Sequence, residues 1–471
     1  MILNKTIQRG FLFLSLICSL AACQNKQTEK QDQQQEEETS FSDFDQIKAQ
    51  GEITAITLYS SVSYFQYKMQ PMGYEYEMMQ DFAESHGLKL NIKVAENPNK
   101  LTEMLLNGEG DVIMYNIPVT NQLKNKVIYC GREIVTSQVL VQRNERKDTL
   151  LKDVTELIGK EVYVKHDTKH HERLKNLNSE LGGGIIIKDI EKDTITTEDL
   201  IEMVSLGQIK YTVSDDLIAK LNKTYYKNID VDLKVSFPQR SSWAVSKNSP
   251  ALADSINSWF EKNKNTTRYK AIVKRYFELS KLPDDYEVLP ILNGMISPFD
   301  KYFKKYASNL GWEWQLLASI GYQESRFKPQ AASWAGAEGV MGIMPRTAKG
   351  IGMSRQDVLN PETSIKGGVE ILKRFRNGFS EITDPEEIIK FTLAAYNAGI
   401  GHVYDAQRLA EKYGKNPNVW NDNVEEFIKL KSDPKYYNDP VCKHGYLRGT
   451  ETYKYVREVV DRYKYYKTKS S

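Results

Sequence analysis

One glutamate, Glu324, has the position and the surroundings that acid–base chemistry needs. The segment from Trp312 predicts a helix in which Leu317, Ile320 and Glu324 share one face, at i, i+3 and i+7. The carboxyl group is then buried at the negative C-terminal end of the helix, and both features favour its neutral form. A neutral carboxylic acid can donate a proton to a leaving oxygen. A capping or salt-bridged glutamate is the alternative interpretation from position alone.

The segments around Glu324 predict a mostly α-helical region over residues 281–471. Two helical patterns, FDKYFKKYASNLG and WEWQLLASIGYQE, meet at Gly311, and a third begins after Pro361. The segment DPEEIIKFTLAAYNAG has Asp384 as a helix N-cap and Gly399 as its stop. A proline-containing stretch, KLPDDYEVLP, marks a change of pattern near residue 281, where we place the domain boundary.

Residues 41–280 alternate between strand and helix patterns. ITAITLY, LKLNIKVA and DVIMYNI are strand-like, and YEYEMMQDFAESHG and NKLTEMLLNGEG between them are helical. This βαβαβ order predicts an α/β domain with a mostly parallel sheet. A second such stretch begins at LIGKEVYVK, and RSSWAVSKNSPALADSINSWFEK closes the region with a strand and a helix.

The first 40 residues have the pattern of an export signal followed by a tether. Lys5 and Arg9 precede an apolar segment, FLFLSLICSL, that is too short to span a bilayer permanently. The end of this segment, LAAC, resembles the lipobox of bacterial lipoproteins, which implies cleavage after residue 22 and acylation of Cys23. An ordinary secretory signal is the alternative. Gln24 resembles the residue of lipoproteins sorted to the outer membrane, facing the periplasm, and residues 23–40 are polar enough to form a flexible tether.

The composition limits the classes of partner and of stabilising bond. A formal net charge of +2, with 27% charged residues, gives no reason to expect a nucleic-acid partner. Beyond the signal and Cys23, Cys130 and Cys442 are the remaining thiols, so a disulfide framework is excluded.

The N-terminal region resembles the bacterial extracellular solute-binding proteins of family 3, with two α/β lobes around a cleft. The segments LLNGEGDVIMYNIPVT, IGKEVYV and WAVSKNSPAL carry the resemblance through their order. Amino-acid receptors of that family hold the ligand carboxylate with an arginine fork, where this chain has Leu123; Lys124 or Lys126 could supply a point charge instead. We therefore expect a muropeptide or another small ligand rather than a free amino acid, with an inert spacer as the alternative.

The C-terminal region resembles the lytic transglycosylase domain, which has a fold like that of goose-type lysozyme. ESRFKPQAASWAGAEGVMGIMPRTA, AAYNAG and ETYKYVREVVDRY match its motifs in order and spacing. With the signal and the solute-binding-like domain in front, the whole chain resembles the membrane-bound lytic murein transglycosylase F family.

This resemblance implies a role for particular residues. Glu324 matches the catalytic acid, and Gly342 stands where many members have a glutamine, which removes one amide near the substrate. The residues that the resemblance implies for substrate binding are Ser333, Met341, Tyr396, Asn397 and Glu451.

The family chemistry implies one carboxyl group that acts twice on the β-1,4 bond between N-acetylmuramic acid and N-acetylglucosamine. Ordinary glycosidases use two carboxylates. Here the acid would protonate the glycosidic oxygen and then deprotonate the C6 hydroxyl, which attacks its own ring to give a 1,6-anhydro end on the glycan strand. The resemblance implies no cofactor and no metal. A muramidase that uses water, or a lipoprotein that binds glycan without cutting it, are the alternatives.

Three histidines, His166, His170 and His171, lie outside these motifs. The i, i+4 spacing of His166 and His170 could bind a metal ion, but no third ligand stands nearby in the sequence. A solvated helix face is the interpretation we favour from the sequence.

Overall fold

The computed structural model describes residues 43–191, 195–279, 281 and 295–469. The predicted signal, lipobox and tether, including Cys23, lie outside the described residues, as does most of the proline-containing boundary segment. None of the described helices has the length and apolarity needed to cross a membrane.

The first lobe is built on a five-stranded sheet of order β4-β1-β5-β12-β6. Strands β4, β1 and β5 are parallel, as the βαβαβ pattern predicts, but β12 runs antiparallel to both β5 and β6. The sheet is therefore mixed rather than mostly parallel, because β12 returns from the second lobe. Its elements are α1 Asp43–Gln50, β1 Glu52–Thr57, β2 Phe65–Tyr67, β3 Gln70–Met72, α2 Tyr74–Ser85, β4 Lys89–Val94, α3 Pro98–Leu106, β5 Val112–Pro118, α4 Asn121–Lys124 and β6 Val127–Thr136, with the later β12 Gln239–Ser246, α8 Pro250–Asn263 and α9 Thr267–Phe277.

The second lobe contains a sheet of order β11-β7-β10-β8-β9. Strands β10, β8 and β9 are parallel, and β7 is antiparallel to β10 and β11. Its elements are β7 Gln138–Arg143, β8 Glu161–Lys165, α5 Lys169–Glu180, β9 Ile186–Ile190, α6 Thr197–Ser205, β10 Tyr211–Asp215, α7 Asp216–Lys223 and β11 Ile229–Asp230. The chain thus forms the two α/β lobes that the resemblance implies.

The C-terminal region is helical, as the sequence predicts. Asn360 caps α14 and Asp384 caps α15 through their side chains, and Gly399, with φ of 98°, ends α15. The helices are α10 Asp300–Ala307, α11 Trp314–Ser325, α12 Pro345–Gly350, α13 Arg355–Leu359, α14 Pro361–Asn377, α15 Pro385–Ala398, α16 Ile400–Lys412, α17 Glu425–Leu430, α18 Pro434–Tyr437 and α19 Gly449–Lys469. One large apolar cluster joins α11, α14, α15 and α19, and these four helices position the candidate site.

Candidate active site

Glu324 lies at the end of α11, where the backbone turns sharply. Leu317 and Ile320 on the same face are fully buried, as the spacing predicts, and the Glu324 side chain is 8% exposed. Arg326 and Phe327 follow in the left-handed region, with φ of 52° and 61°, and stop the helix. The helix end therefore places the carboxyl group against Gly342, which lines a small cleft together with Tyr396.

The Glu324 carboxylate has two polar partners. The Tyr455 hydroxyl of α19 donates a hydrogen bond to Oε1 at 2.8 Å, and the Lys68 ammonium donates to Oε2 at 3.0 Å. The salt-bridged alternative from the sequence is thus the state described here. For Glu324 to act as the acid that the resemblance implies, Lys68 has to withdraw, because the carboxyl group must then carry a proton.

Gly342 lies so close to Glu324 that a side chain at this position would meet the carboxylate. Its φ is +58°, and a Cβ atom at this position would lie 2.1 Å from Glu324 Oε2. The glutamine that many members of the family have here would therefore collide with the Glu324 carboxylate in this arrangement. Glycine lets the backbone of the 339–343 turn approach Glu324 closely.

Lys68 reaches the cleft from the tip of the 65–72 hairpin, formed by β2 and β3 of the first lobe. Lys68 and Met69 both have positive φ, 47° and 64°, which is strained for residues with side chains. Met69 lies against Gly399, and the Gln66 carbonyl is 3.2 Å from His402 Nε2. The hairpin tip therefore covers the Glu324 carboxylate and lines the cleft with Gly342 and Tyr396, an arrangement that we call closed.

Tyr396, one of the expected substrate-binding residues, lies beside this tip and bonds the backbone of another, Met341. The Tyr396 hydroxyl donates to the Met341 carbonyl at 2.7 Å, and Lys68 Nζ lies 5.5 Å from the centre of the Tyr396 ring. Burial, and then the charge of Glu324, raise the pKa of Tyr396 well above its ordinary value. Tyr396 is thus a neutral donor that joins α15 to the backbone of the turn containing Met341.

Asn397 and Glu451 lie where α15 meets α19. Asn397 Oδ1 accepts a hydrogen bond from the Thr452 hydroxyl at 2.7 Å, so its side chain ties the two helices together. Burial raises the pKa of Glu451, against the nearby charges of Arg448 and Lys68. Glu451 shares a pocket with Asn397 and Lys281.

Ser333 lies apart from this cluster, in an exposed turn. Its hydroxyl accepts a hydrogen bond from the Ala337 amide at 2.9 Å, and its own amide donates to the Ala337 carbonyl at 2.8 Å. The structure thus brings Glu324, Met341 and Tyr396 together and places Ser333 in the supporting loop. Sequence reasoning missed Tyr455, although it belongs to ETYKYV, and Lys68, for which no motif gave a signal.

If Glu324 is the catalytic acid that the resemblance implies, replacing Lys68 with alanine should raise the rate of glycan cleavage. The change leaves the buried Glu324 carboxylate without its cation, which destabilises the closed arrangement. We expect a rise of roughly two- to tenfold, since a population shifts tenfold for about 1.4 kcal/mol. Turbidity loss of a peptidoglycan suspension measures the rate, with Lys89→Ala on the same lobe as control. An unchanged rate would show that the hairpin does not limit access.

The cleft between the two lobes is occupied by the protein itself. Glu198 of the second lobe accepts hydrogen bonds from Ser61 of the first lobe at 2.6 Å and from Tyr446 at 2.8 Å. Arg448 Nη1 lies 3.4 Å from the same carboxylate. A Cβ atom on Gly445 would lie 2.0 Å from the Tyr59 ring. The segment 445–448 of the helical region therefore lies between the lobes.

The position expected for a ligand-binding arginine is apolar in the structure as well. Leu123 packs against a buried cluster that includes Ile117 and Val127, whereas Lys124 and Lys126 are exposed. We expect free amino acids not to bind the chain with micromolar affinity, because an unpaired buried carboxylate costs several kcal/mol. Calorimetry of the full chain against the common amino acids tests this, and a micromolar hit would mean that another cation replaces the arginine.

Two family models match the two parts of the chain. Residues 301–419 match the Transglycosylase SLT domain family, and residues 45–279 match the bacterial extracellular solute-binding proteins, family 3. Among solved structures, a polar amino acid ABC uptake transporter substrate binding protein from Streptococcus thermophilus aligns at 16% identity, covering 52% of this chain and 92% of its own, with a TM-score of 0.43.

Two curated relatives extend over most of the chain. The membrane-bound lytic murein transglycosylase F of Desulfosudis oleivorans is 31% identical over 428 residues, which cover 90% of this chain and 92% of that protein. The protein of the same name from Pseudomonas putida strain GB-1 is 31% identical over 424 residues, covering 89% and 85%. The chain belongs to the membrane-bound lytic murein transglycosylase F family.

Proposed function

We propose that Glu324 is the single acid and base of a peptidoglycan lytic transglycosylase. Family membership supports an enzyme that acts on peptidoglycan as a lyase. The observation that carries the assignment of Glu324 is its place at the buried end of α11, where the Tyr455 hydroxyl holds Oε1 at 2.8 Å. That hydrogen bond orients the carboxyl group and leaves Oε2, now held by Lys68, as the atom that faces the cleft.

The reaction begins when the hairpin tip leaves and Glu324 takes up a proton. The acid protonates the oxygen between N-acetylmuramic acid and N-acetylglucosamine, and the bond from that oxygen to C1 breaks. The carboxylate then removes the proton of the muramic C6 hydroxyl, whose oxygen attacks C1 and closes the 1,6-anhydro ring. Because nucleophile and C1 belong to one sugar, the intramolecular attack has a high effective concentration without a second carboxylate.

Substrate binding is proposed for the residues that surround this carboxyl group. Tyr396 lines the cleft and bonds the backbone of the buried Met341. Asn397 and Glu451 lie where α15 meets α19, and Ser333 stands in the neighbouring turn. We assign residues 281–471, which contain Glu324, as the catalytic domain. Residues 41–280 are the solute-binding domain, and we propose that its ligand is small.

The products of digestion distinguish this function from its alternatives. A lytic transglycosylase releases muropeptides with 1,6-anhydro ends, a muramidase releases reducing ends, and a glycan-binding lipoprotein releases neither. Mass spectrometry of peptidoglycan digested by the purified chain tests the proposal. A product set with reducing ends alone would assign the chain to the muramidases.

We also propose that Cys23 carries the lipid that attaches the protein to the outer membrane, facing the periplasm. The lipobox sequence LAAC and Gln24 support this proposal, and the relatives are named as membrane-bound proteins. Cys23→Ser should remove labelled fatty acid from the protein and leave it either soluble or unprocessed. Fatty-acid labelling that persists in Cys23→Ser, with Cys18→Ser as the control, would place the lipid elsewhere.

A further inference from the structure

The histidine cluster of the second lobe differs from what its spacing suggests. His170, expected with His166 on a solvated face, is turned inward and only 6% exposed, with Nε2 3.6 Å from Asp215 Oδ2. His171 instead faces His166, with ring centres 5.3 Å apart. The interpretation of all three histidines as one solvated face is therefore wrong for His170.

A third ligand comes from the neighbouring strand. Strands β8 and β9 pair in parallel with Val164 opposite Asp189, and the His166 amide continues the pairing by donating to the Ile190 carbonyl at 3.0 Å. This register sets Asp189 Oδ2 2.7 Å from His166 Nδ1. The sequence could not show this ligand, because Asp189 lies on another strand.

We propose that His166, His171 and Asp189 form a binding site for a divalent transition metal ion, with Zn²⁺ as the fitting species. One ligand atom from each residue lies within 4.8 Å of the others. Zinc bonds of about 2.0–2.1 Å place ligand atoms about 3.3 Å apart. His166 Nδ1 and Asp189 Oδ2, now 2.7 Å apart, therefore separate slightly, and the His171 atom moves by at most about 1.5 Å. Two imidazoles and a carboxylate suit zinc, and water fills the remaining positions.

The surroundings permit that movement and favour a cation. The side chains of His166 and Asp189 are 51% and 40% exposed, so both can turn. The Asp167 amide lies 3.4 Å from His171 Nδ1, a contact too long to hold that ring firmly. Asp167 and Glu191 add negative charge near His166.

Lys169 and Lys188, which lie close to the three ligands in the sequence, have other partners. Lys169 pairs with Asp215 at 2.7 Å, and Lys188 pairs with Glu161 at 3.4 Å. The site also directly follows Lys165, whose ammonium pairs with Asp433 of the helical region. A bound ion would therefore stabilise the segment around Lys165, which joins the second lobe to the helical region through Asp433.

Calorimetry of the full chain, purified without a polyhistidine tag, tests the site with Zn²⁺ as the probe. We expect one equivalent to bind, and Mg²⁺ to give no matching signal because it prefers oxygen ligands. His171→Ala and Asp189→Asn should each weaken zinc binding at least tenfold. Glu191→Gln, which removes a neighbouring charge but no ligand, should keep it within about twofold. Co²⁺ in place of zinc should give a visible absorption band that the two ligand variants lose.

Several results would overturn the proposal. Absence of zinc binding would do so, as would binding that survives both His171→Ala and Asp189→Asn. An equal loss in Glu191→Gln would indicate diffuse attraction to negative charge. Thermal unfolding of each variant without metal shows whether it is folded. Asp189 and Glu191 are exposed and His171 is half-buried, so we expect only small shifts of the midpoint.

Discussion

Glu324→Gln should lower turnover on peptidoglycan by on the order of 10²- to 10⁴-fold. Glutamine keeps the shape of the side chain and a hydrogen-bonding oxygen for Tyr455, which is 2.8 Å from Oε1, but it cannot transfer the proton. Because the proposed reaction uses one carboxyl group twice, both the protonation and the ring closure fail together. Glycan binding and the folded structure should persist, as measured by co-sedimentation with peptidoglycan and by thermal unfolding.

A matched variant at the N-cap of the same helix separates this effect from a general change of charge. Glu313 directly precedes α11, and its carboxylate accepts hydrogen bonds from the Tyr463 hydroxyl and the Lys467 ammonium at the surface. Glu313→Gln should retain most of the activity, since an exposed ion pair contributes little. Near-normal turnover in Glu324→Gln would assign the acid to another residue.

Gly342→Ala should reduce turnover by roughly 10²-fold, because a displacement of about 1 Å in a reacting group has an effect of this size. The added Cβ atom would lie 2.1 Å from Glu324 Oε2, and the carboxyl group must move to avoid it. The positive φ of 58° adds strain to any residue with a side chain. Turnover is measured with the same peptidoglycan digestion.

Gly336→Ala, in the same loop, separates the collision from the strain. Gly336 has φ of +88°, and a Cβ atom there would meet nothing within 4 Å. This variant should lose some stability, by about 1 kcal/mol, while its turnover stays near that of the unchanged chain. Equal losses of turnover in the two variants would mean that the collision with Glu324 does not matter.

The elements that position Glu324 could be predicted because their signals are local. Asp384 at the N-cap of α15, Gly399 at its end and the i, i+3, i+7 face of α11 each depend on neighbouring residues, and the structure confirms them. The βαβαβ order likewise predicted the parallel part of the first sheet. The sequence pattern does not predict that β12 runs antiparallel to β5. The direction of β12 depends on the path of the chain through the second lobe, which separates the two strands in sequence.

The contacts that close the site could not be predicted in this way. Lys68 is separated from Glu324 by 256 positions and lies in the other half of the chain, at a hairpin tip without the usual Asn-Gly turn residues. The clash that Gly342 avoids likewise depends on how the 339–343 turn packs against α11. Asp189 reaches His166 through strand register. In each case the partner is set by tertiary packing, which periodicity and capping rules do not address.

Digestion of peptidoglycan in water enriched in ¹⁸O tests the central claim most directly. If Glu324 directs the C6 hydroxyl of N-acetylmuramic acid to C1, the new ends are 1,6-anhydro sugars, lighter than the hydrolysis product by one water and free of ¹⁸O. Mass spectrometry should find these ends with the unchanged chain and lose them with Glu324→Gln. Reducing ends that carry ¹⁸O would contradict the account, because they require water as the nucleophile.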